Sequence, residues 1–556
     1  MIPAATRHLL AALGTVAVLV PSARAAEHSP AGRTMREGRI RADASIFESA
    51  SPVRSDEKPP AVVLFDQSKL PSAYKTPWVE HRVYRFLKIV RPYDGASFPR
   101  NTPPPKISWE DETDDVWMLS LKAPGWAAPL SVITDRREWR PDAATWEAIK
   151  RAGTGGWITL ELRGCAMKDG SRAGDKVYLD SLRFRVSEHS TDPLIVYRFV
   201  TPLFHGLKTP DIFSREVSSY ESKMFLPGAG SFCTNCHSFP IKPSVPNDQI
   251  KMSIAVRRNV GDKAYKILGI YDFASRKGKT LNINSFFMGW NPDGTKIAVT
   301  GGDKVAVRPL ITLETQEFYV LLADILIVDA KTLSAHSLPG ASDGRYMETL
   351  PTWSADGETI VFARAPELAN EFAERKFNLY KVPYNNGQGG IATPIPGASH
   401  NGLSNYAARF SPDGKWLAFN KADYSSLVAP TSDLWILSTE EGAMPRELDC
   451  NVPYAGDSHH SWSSNSRWLL FASKRDDGIF ARIYITEIDE HGRASPPVEL
   501  PCLEQTMFCY NVPEFVKHTL TVDAMDILEK TGTLEGRDAP PDVAGGHGRA
   551  PGGKQQ

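Results

Sequence analysis

A turn that recurs four times in the second half of the chain constrains its fold more than any other feature. The four copies read WNPDG (290–294), WSADG (353–357), FSPDG (410–414) and WSSNS (462–466). A short apolar run that reads as a strand follows each copy directly, at 296–299, 359–362, 416–419 and 468–471. A second such run follows at 325–328, 378–382, 434–437 and 483–485. Turn and strands recur together, which predicts repetition of one β-sheet unit.

The chemistry of the turn explains its shape. The aromatic residue ends one strand in the core, Pro sets φ for a type I turn, Asp accepts a backbone hydrogen bond, and Gly takes the left-handed position that closes the hairpin. The equivalent positions Asp293, Asp356, Asp413 and Asn465 lie 63, 57 and 52 residues apart. Four-stranded units of about this length are blades of a β-propeller, for which coincidental turns in a β-sandwich are the alternative.

The repeated turns resemble those of the periplasmic TolB protein, whose repeat is a WD40-like (PD40) blade. The resemblance covers roughly residues 250–517 and implies a TolB-like propeller of five or six blades. We expect a degenerate first blade near Lys251, and residues 509–515 to return and close the ring.

The rest of the chain also reads as β-rich, which places the protein in the all-β class. Residues 61–200 alternate apolar runs with turns, with strands expected at 116–121, 156–162 and 182–186 and a short helix at 142–150. This pattern predicts an immunoglobulin-like β-sandwich. Residues 26–60 and 518–556 are rich in Pro, Gly and charge, so we predict a disordered lead-in and a disordered tail, the latter with one amphipathic stretch at 522–528.

The first 25 residues read as a secretory signal peptide, with an uncleaved anchor as the alternative. Arg7 precedes an apolar stretch at 9–20, Pro21 ends it, and Ala23 and Ala25 occupy the positions that a signal peptidase reads. No later segment is apolar for 18 residues, so we expect a periplasmic mature chain without a membrane span. The 64 Lys and Arg residues balance 65 Asp and Glu residues, which gives no reason to expect nucleic acid as a partner.

The sequence CTNCH at 233–237 is the sharpest chemical signal, and it lies in a predicted linker at 201–249. Two thiols at this spacing reach both vinyl groups of one haem, and the adjacent imidazole then lies under the iron. We therefore predict one covalent haem c on Cys233 and Cys236, with His237 as the proximal iron ligand. A thioredoxin-type CxxC, a zinc site and a structural disulfide are the alternatives.

The second axial ligand is open at this stage. Met252 ranks first, because it lies 15 residues after His237 at the expected start of the propeller, and Met224 and His460 are the alternatives. Met raises the reduction potential of a haem and His lowers it. An open sixth position would allow ligand binding or peroxidase-like chemistry.

The complete arrangement resembles a family of exported bacterial c-type cytochromes that join an N-terminal β-sandwich, a CxxCH linker and a TolB-like propeller. The matching stretches are residues 192–198, 233–237, 251–252, 460–468 and 511–515. In that family the Met at this position is often followed, three residues on, by His; here Ala255 stands there. The departure favours Met252 over a histidine ligand from this segment.

Three functions are consistent with this reading. The first is a monohaem protein for electron transfer or redox sensing, with a redox partner protein. The second is a propeller that binds a protein or glycan partner, with a structural haem. The third is a haem redox enzyme, similar to nitrite reductases that pair a c-type haem with an eight-bladed propeller, although the propeller expected here is smaller. An electron carrier or a binding protein is favoured over an enzyme.

The pairing of the four remaining cysteines is left open by the sequence. Cys502 and Cys509 are close enough along the chain to bridge a short loop, as extracytoplasmic cysteines often do. Cys450 and Cys502 hold matching places in consecutive blades, which are usually too far apart to bridge. Buried free thiols, Cys165 included, are the alternative.

Overall fold

The computed structural model describes residues 51–54, 87–169, 171–172, 176–200, 211–228, 232–240, 250–260, 263–302, 304–309, 316–370, 373–424, 429–501, 508–520, 523–531 and 537–538. All of these belong to one compact unit, Ala44–Gln556. They form a mostly-β protein. The predicted signal peptide lies outside the described residues, as does most of the predicted lead-in.

Eleven strands and a helix make up the N-terminal part. The helix, α1 (Ala143–Gly153), lies between the seventh and eighth strands. The strands are β1 (Ser51–Arg54), β2 (Leu87–Arg91), β3 (Ala96–Phe98), β4 (Ile107–Asp111), β5 (Val116–Lys122), β6 (Leu130–Thr134), β7 (Glu138–Trp139), β8 (Trp157–Cys165), β9 (Met167–Lys168), β10 (Ser171–Arg172) and β11 (Lys176–Val186).

These strands form two main sheets. One has the order β1-β11-β8-β5-β6 with β3 added beside β11, the other has the order β2-β4-β7, and β9 and β10 form a separate hairpin. The expected strands at 116–121, 156–162 and 182–186 and the helix at 142–150 are confirmed. β1 and β3 both pair with β11 in parallel, which departs from the antiparallel sheets of an immunoglobulin sandwich. β1 also shows that the predicted lead-in contains a strand.

The helix is fixed by its first residue and by one large side chain. The Asp142 side chain accepts a hydrogen bond from the Thr145 N–H at 2.7 Å, which caps the first turn. The Trp146 indole is buried, lies edge-on to Phe98 at 5.5 Å, and donates to the Thr102 carbonyl at 2.9 Å. The helix therefore covers the apolar face of the larger sheet.

The remaining strands form six further sheets and one hairpin within the described residues. In chain order they are β12 (Leu194–Val200), β13 (Asp211–Glu216), β14 (Lys223–Leu226), β15 (Phe232–Ser238), β16 (Lys251–Val260), β17 (Lys263–Asp272), β18 (Lys277–Asn282), β19 (Ser285–Trp290), β20 (Lys296–Gly301), β21 (Lys304–Pro309), β22 (Gln316–Leu321), β23 (Asp324–Asp329), β24 (Ala335–Ser337), β25 (Tyr346–Trp353), β26 (Thr359–Pro366), β27 (Asn378–Pro383), β28 (Thr393–Pro394), β29 (Ser404–Phe410), β30 (Trp416–Ala422), β31 (Asp433–Ser438), β32 (Arg446–Glu447), β33 (Ser458–Trp462), β34 (Trp468–Ser473), β35 (Arg482–Glu487), β36 (Val498–Glu499), β37 (Cys509–Val516) and β38 (Arg537–Asp538).

Each of the six sheets is built around four antiparallel strands. Their orders are β14-β13-β12-β37, β15-β16-β17-β18, β19-β20-β23-β24, β25-β26-β27-β28, β29-β30-β31-β32 and β33-β34-β35-β36, and β38 adds a short parallel strand beside β18. β21 and β22 form the separate hairpin. The strands expected after each repeated turn are confirmed as β20, β26, β30 and β34.

The repeated turns adopt the backbone conformation that their chemistry requires. Gly294, Gly357 and Gly414 have φ of 68°, 80° and 77°, and Ser466 takes the same left-handed conformation with φ 60°. The preceding Asp or Asn side chain accepts a hydrogen bond from the backbone N–H two residues later in all four turns, at 3.0–3.2 Å. The hairpin that starts each of these sheets is therefore specified locally.

The ring of sheets begins earlier in the chain than the sequence suggested. The segment expected to return, 509–515, forms β37 and pairs with β12, not with a strand near Lys251. The first sheet thus combines three strands from residues 194–226 with the last long strand of the chain. β13, β14 and β15 all lie within the span 201–249 that was predicted to be a linker.

One edge strand of each sheet, here called the inner strand, borders a common axial space. Two cavities lie in this space, and each is lined by residues from all six inner strands, which are β15, β19, β25, β29, β33 and β37. Each inner strand carries a β-bulge shortly before its final aromatic residue. Six sheets around one axis are consistent with a TolB-like β-propeller.

Two further elements pack on this ring. The N-terminal sheets share one apolar core with the sheet of β33 to β36, and the buried Glu487 carboxylate accepts hydrogen bonds from Ser97 and Ser187 at 2.6 Å each. A second helix, α2 (Ala524–Thr531), buries Ile527 and Leu528 against the sheet of β15 to β18. It lies within the span 518–556 for which disorder was predicted, because its amphipathic face finds an apolar partner that the local sequence does not reveal.

Candidate functional site

The CTNCH motif lies in an inner strand of the ring. Residues 233–237 fall within β15, where Cys233 is opposite Arg257 and His237 is opposite Ile254, and the strand bulges at residues 235–236. The side chain of Cys233 lies outside the described residues. Cys236 and His237 are both buried, with 5% and 3% of their surfaces exposed. The motif therefore sits in a paired strand beside the axis of the ring.

The bulge makes the motif equivalent to a segment in each of the other inner strands. The β15–β16 register ends with Ser238 opposite Ser253, and one further step aligns Phe239 with Met252, just as Trp290 lies opposite Ile297. By this alignment Phe239, two residues after His237, takes the place of the repeated aromatic residues. Counting two residues back from each aromatic residue gives one position per inner strand. These positions are His237, Met288, Pro351, Ala408, His460 and Pro513.

All six of these residues line the same cavity. Its volume is about 50 Å³, and its lining also includes Cys236 and His459. His237 and His460 therefore border one axial space although 223 positions separate them in the chain. Both residues were candidates in the sequence, but the sequence could not show that they line the same cavity.

His460 is a neutral imidazole in an unusual setting. Burial, together with the nearby Arg409 guanidinium, lowers its pKa to about 3. The ring has a weak interaction with the Ala418 backbone, but neither nitrogen makes a hydrogen bond of normal geometry within the described part of the chain. Buried polar groups are usually paired, so this side chain has donor and acceptor capacity in reserve.

His237 is held between the first and second sheets. Its Nε2 lies 3.4 Å from the Val196 carbonyl of β12, and its ring packs edge-on to Phe239 at 6.1 Å. The contact to the carbonyl is long for a hydrogen bond. The nitrogen that binds iron in a c-type haem protein is thus turned toward the backbone of the neighbouring sheet.

One ion pair joins two inner strands, β29 and β37, beside the histidines. The Arg409 guanidinium donates to the Glu514 carboxylate at 2.9 Å, and the same carboxylate accepts the Phe239 N–H at 3.3 Å. Both charged residues line the cavity. Glu514 therefore joins the ring-closing strand β37 to the end of the strand that carries the motif, a role that the sequence did not suggest.

The aromatic residues of the repeated turns tie neighbouring inner strands together. The Trp290 indole donates to the Ser238 carbonyl at 3.1 Å, and the Trp462 indole donates to the Arg409 carbonyl at 3.1 Å. Ser238 directly follows the cavity-lining His237, and Arg409 lines the cavity itself. The turns thus position the axial residues as well as ending the strands.

Met252, the first-ranked second ligand, is placed in the interior between sheets and not on the cavity. It is fully buried in the apolar cluster that contains Phe225, Phe239 and Ile254. In the repeat it corresponds to Ile297, which is also buried. Its position is that of a packing residue in the second strand of each sheet.

Met224 is further still from the axis. It lies on β14, the outermost strand of the first sheet, and 46% of its surface is exposed. Met288 lines the cavity and was missed by the sequence analysis. Counting back from the aromatic residues in all six inner strands would have found it.

Three cysteines outside the motif, Cys165, Cys450 and Cys509, do not line the axial cavity. Cys450 is a buried free thiol whose pKa is raised by burial. The Cys165 sulfur lies 3.9 Å from the Met167 sulfur, and the Cys509 sulfur lies 3.8 Å from the Ile479 carbonyl. Cys502 lies outside the described residues, so its pairing stays open. No cluster of three or more His, Cys, Asp or Glu side chains arranged for a metal ion occurs among the described residues.

The residues at the motif fit a c-type haem in their chemistry, whereas the space around them is small. A Cys pair, an adjacent imidazole and a second imidazole with free hydrogen-bonding capacity match the donors that a haem c takes. The cavity volume of about 50 Å³ is far below the roughly 300–1,000 Å³ of small-molecule pockets. Haem attachment therefore requires the cavity lining, or β15 itself, to move from the positions seen here.

Comparison with known proteins gives structural similarity only. No protein-family model and no curated protein matches the chain. The chain is structurally similar to TolB from Acinetobacter baumannii, with a TM-score of 0.38 and 12% identity over 67% of this chain and 85% of that protein. It is also similar to prolyl oligopeptidase B from Galerina marginata, with a TM-score of 0.33 and 10% identity over 55% of this chain and 44% of that protein. Likeness at this level gives no information on activity.

One further observation concerns membranes. No helix in the described part of the chain is long and apolar enough to cross a bilayer.

Proposed function

We propose that the chain is an extracytoplasmic protein that carries one haem c on a six-bladed TolB-like propeller and acts in electron transfer or redox sensing. One observation carries the proposal: CTNCH occupies the bulge of an inner strand, so that His237 borders the same axial cavity as His460. Chance placement of the motif gives no reason for its histidine to share a cavity with a second buried histidine.

The residues of the chain have distinct parts in this proposal. Cys233 and Cys236 tether the group, and the His237 imidazole is the proximal ligand, which requires its Nε2 to leave the Val196 carbonyl. A bound haem supplies a one-electron redox centre. The Arg409–Glu514 ion pair adds no net charge to the cavity, and it holds the end of the motif strand against β37.

The test is attachment of haem in a cell that can perform it. The full chain is produced with its own N-terminal residues together with haem-maturation genes, and the intact mass and a pyridine haemochrome spectrum are measured. We expect one haem per chain, and none in the Cys233→Ser/Cys236→Ser double variant. Cys450→Ser, which changes a buried thiol outside the cavity, is the matched control and should keep the haem. A wild-type chain at its apoprotein mass would refute the proposal.

A role in electron transfer or sensing requires a reversible redox change. Spectroelectrochemical titration of the loaded protein should give a single one-electron transition, and mixing with a small reduced electron-carrier protein should reduce the haem. If the loaded protein exchanges no electrons, the proposed role in electron transfer or redox sensing is wrong and the haem has a structural role.

A second candidate function, binding of a protein or glycan partner, is favoured by a surface groove. A groove of about 1,060 Å³ runs between the sheets that begin with β25 and β29. Its lining includes four acidic residues, Asp356, Asp413, Glu440 and Glu441, and one basic residue, Lys381. A panel of basic peptides and oligosaccharides tests it. Binding that a Glu440→Lys/Glu441→Lys variant loses would support the groove as the site, and absence of binding to either class would argue against it.

A further inference from the structure

His460 lines the same axial cavity as His237, the histidine of the CTNCH motif. We propose that His460 is the second axial ligand, which gives the haem two histidine ligands. The inference rests on the proposed function and specifies which residue completes its redox centre.

The first argument is position. His237 and His460 each lie two residues before an aromatic residue that ends an inner strand, and both line the one cavity. They belong to different strands, β15 and β33; β37 contacts β33, and its Glu514 accepts a hydrogen bond from Phe239 just after β15. Two axial ligands have to reach one iron from opposite faces of the porphyrin. Side chains from separated strands of a ring can do so.

The second argument is the state of the imidazole. His460 is 3% exposed, and neither of its ring nitrogens makes a hydrogen bond of normal geometry within the described residues. A histidine whose function were only to fill space would leave two polar atoms buried to no purpose, whereas an apolar residue fills space without that penalty. Pro351, Ala408 and Pro513 hold the equivalent positions in three other inner strands and show that the fold does not require a histidine there.

The third argument compares the methionine candidates. Met252 corresponds to Ile297 and lies on the same side of the same sheet as Ile254, the residue opposite His237. A side chain that stands beside His237 on one sheet face cannot approach the iron from the opposite side. Met224 is on an outermost strand, and 46% of its surface is exposed.

His459 also lines the cavity, but it is less buried than His460 and lies within the bulge of β33, with φ of 53°. Met288 is the other competitor, because it lines the cavity too. Its side chain is 5% exposed and belongs to an apolar cluster with Leu268, Trp290 and Ile297. Packing accounts for Met288 completely, and β19 is the immediate neighbour of the motif strand. His460, by contrast, has only the weak interaction with the Ala418 backbone, and neither ring nitrogen makes a hydrogen bond of normal geometry within the described residues.

The experiment uses the loaded full-length protein and measures the spectrum of the ferric haem, its electron paramagnetic resonance and its midpoint potential. We expect a low-spin wild-type haem without the far-red band of sulfur-to-iron charge transfer. His460→Ala should turn the ferric haem high-spin at unchanged haem content, and added imidazole should restore the low-spin spectrum.

His460→Met provides the second variant, should removal of the side chain disturb the fold. This variant should stay low-spin, gain the far-red band and show a raised potential, since Met ligation raises the potential of a haem. Met288→Leu, Met252→Leu and His491→Ala are the matched controls and should leave spectrum and potential unchanged. His491 is chosen because 68% of its side chain is exposed on the surface.

The outcomes separate the two proposals. A low-spin spectrum unchanged in both His460 variants, or lost in Met288→Leu or Met252→Leu, overturns the assignment of His460 while the haem remains. A wild-type protein without haem overturns the proposed function itself, and the ligand assignment with it.

Discussion

Arg475 is the residue whose loss we expect to destabilise the ring most clearly. Its side chain and that of Asp457 are 1% and 0% exposed, and the guanidinium donates to the Asp457 carboxylate at 2.8 Å and to the Cys450 carbonyl at 2.9 Å. It also lies 4.6 Å from the centre of the Tyr484 ring. Asp457 in turn accepts the Val452 N–H at 2.8 Å and immediately precedes the segment that carries His460. The contact thus anchors the start of an inner strand.

The cost of Arg475→Met follows from these contacts. The guanidinium also donates to the Ser473 hydroxyl at 2.9 Å, which makes three hydrogen bonds. The two to the Asp457 carboxylate and the Cys450 carbonyl contribute about 1.5–3 kcal/mol each, or about 3–6 kcal/mol together. Removal of one partner from a buried ion pair costs about 3–5 kcal/mol, because the other charge stays buried. We expect the free energy of unfolding to fall by about 4 kcal/mol, a value within both ranges.

The assay is urea-induced unfolding followed by tryptophan fluorescence and by circular dichroism, with wild type and variant at one pH and ionic strength. The matched control is Arg345→Met, because Arg345 and Asp343 form an ion pair of 2.6 Å whose side chains are 79% and 31% exposed. An exposed pair is worth about 0–1 kcal/mol. If Arg475→Met costs no more than Arg345→Met, the reasoning that burial sets the value of this pair is wrong.

Three other predictions test the axis, the N-terminal core and the repeated turn. Burial lowers the pKa of His460 to about 3, so the unfolded chain binds one proton more than the folded chain between about pH 6.5 and 3. In the Cys233→Ser/Cys236→Ser variant we therefore expect the free energy of unfolding to fall on acidification, with roughly 2 kcal/mol lost through this residue between pH 6.5 and 5. His460→Gln should reduce that pH dependence. Trp146→Ala should lower the free energy of unfolding by about 3–5 kcal/mol, measured by chemical denaturation, with the smaller loss in Trp146→Phe as the comparison. Gly414→Ala should cost about 1–2 kcal/mol in the same assay, because its φ is 77° and a new Cβ would lie 3.1 Å from the Ala355 Cβ; equal stability would show that the turn tolerates a side chain.

The repeated turns made a large part of the fold predictable. Asp293, Asp356 and Asp413 each accept the backbone hydrogen bond expected of them, and the strands that follow them are where the sequence placed them. The signal was strong because turn chemistry acts within five residues. The first two sheets lack that turn, so β12 was assigned to the sandwich and β13, β14 and β15 were assigned to a linker. Of their strands, only β16 to β18 and β37 fell within the span predicted to form the propeller.

For the CTNCH motif, too, the sequence predicted one property and only the structure showed another. Its chemistry was legible from residue types and spacing alone, whereas its place in an inner strand was not, because the bulge that aligns it with the other inner strands appears only in the pairing of β15 with β16. Met252 ranked first on its distance along the chain. The structure instead gives it the position of a buried residue in a second strand.

What the sequence determined by itself was local: the turn that closes each hairpin, the strand that follows it, and the attachment motif. These depend on φ preferences, short hydrogen bonds and the spacing of neighbouring side chains, all of which act over a few residues. Only the tertiary structure decided that β37 completes the sheet begun at Leu194, and that His237 and His460 border one cavity. Contacts between residues hundreds of positions apart depend on how whole sheets pack around an axis, and no local pattern records that geometry.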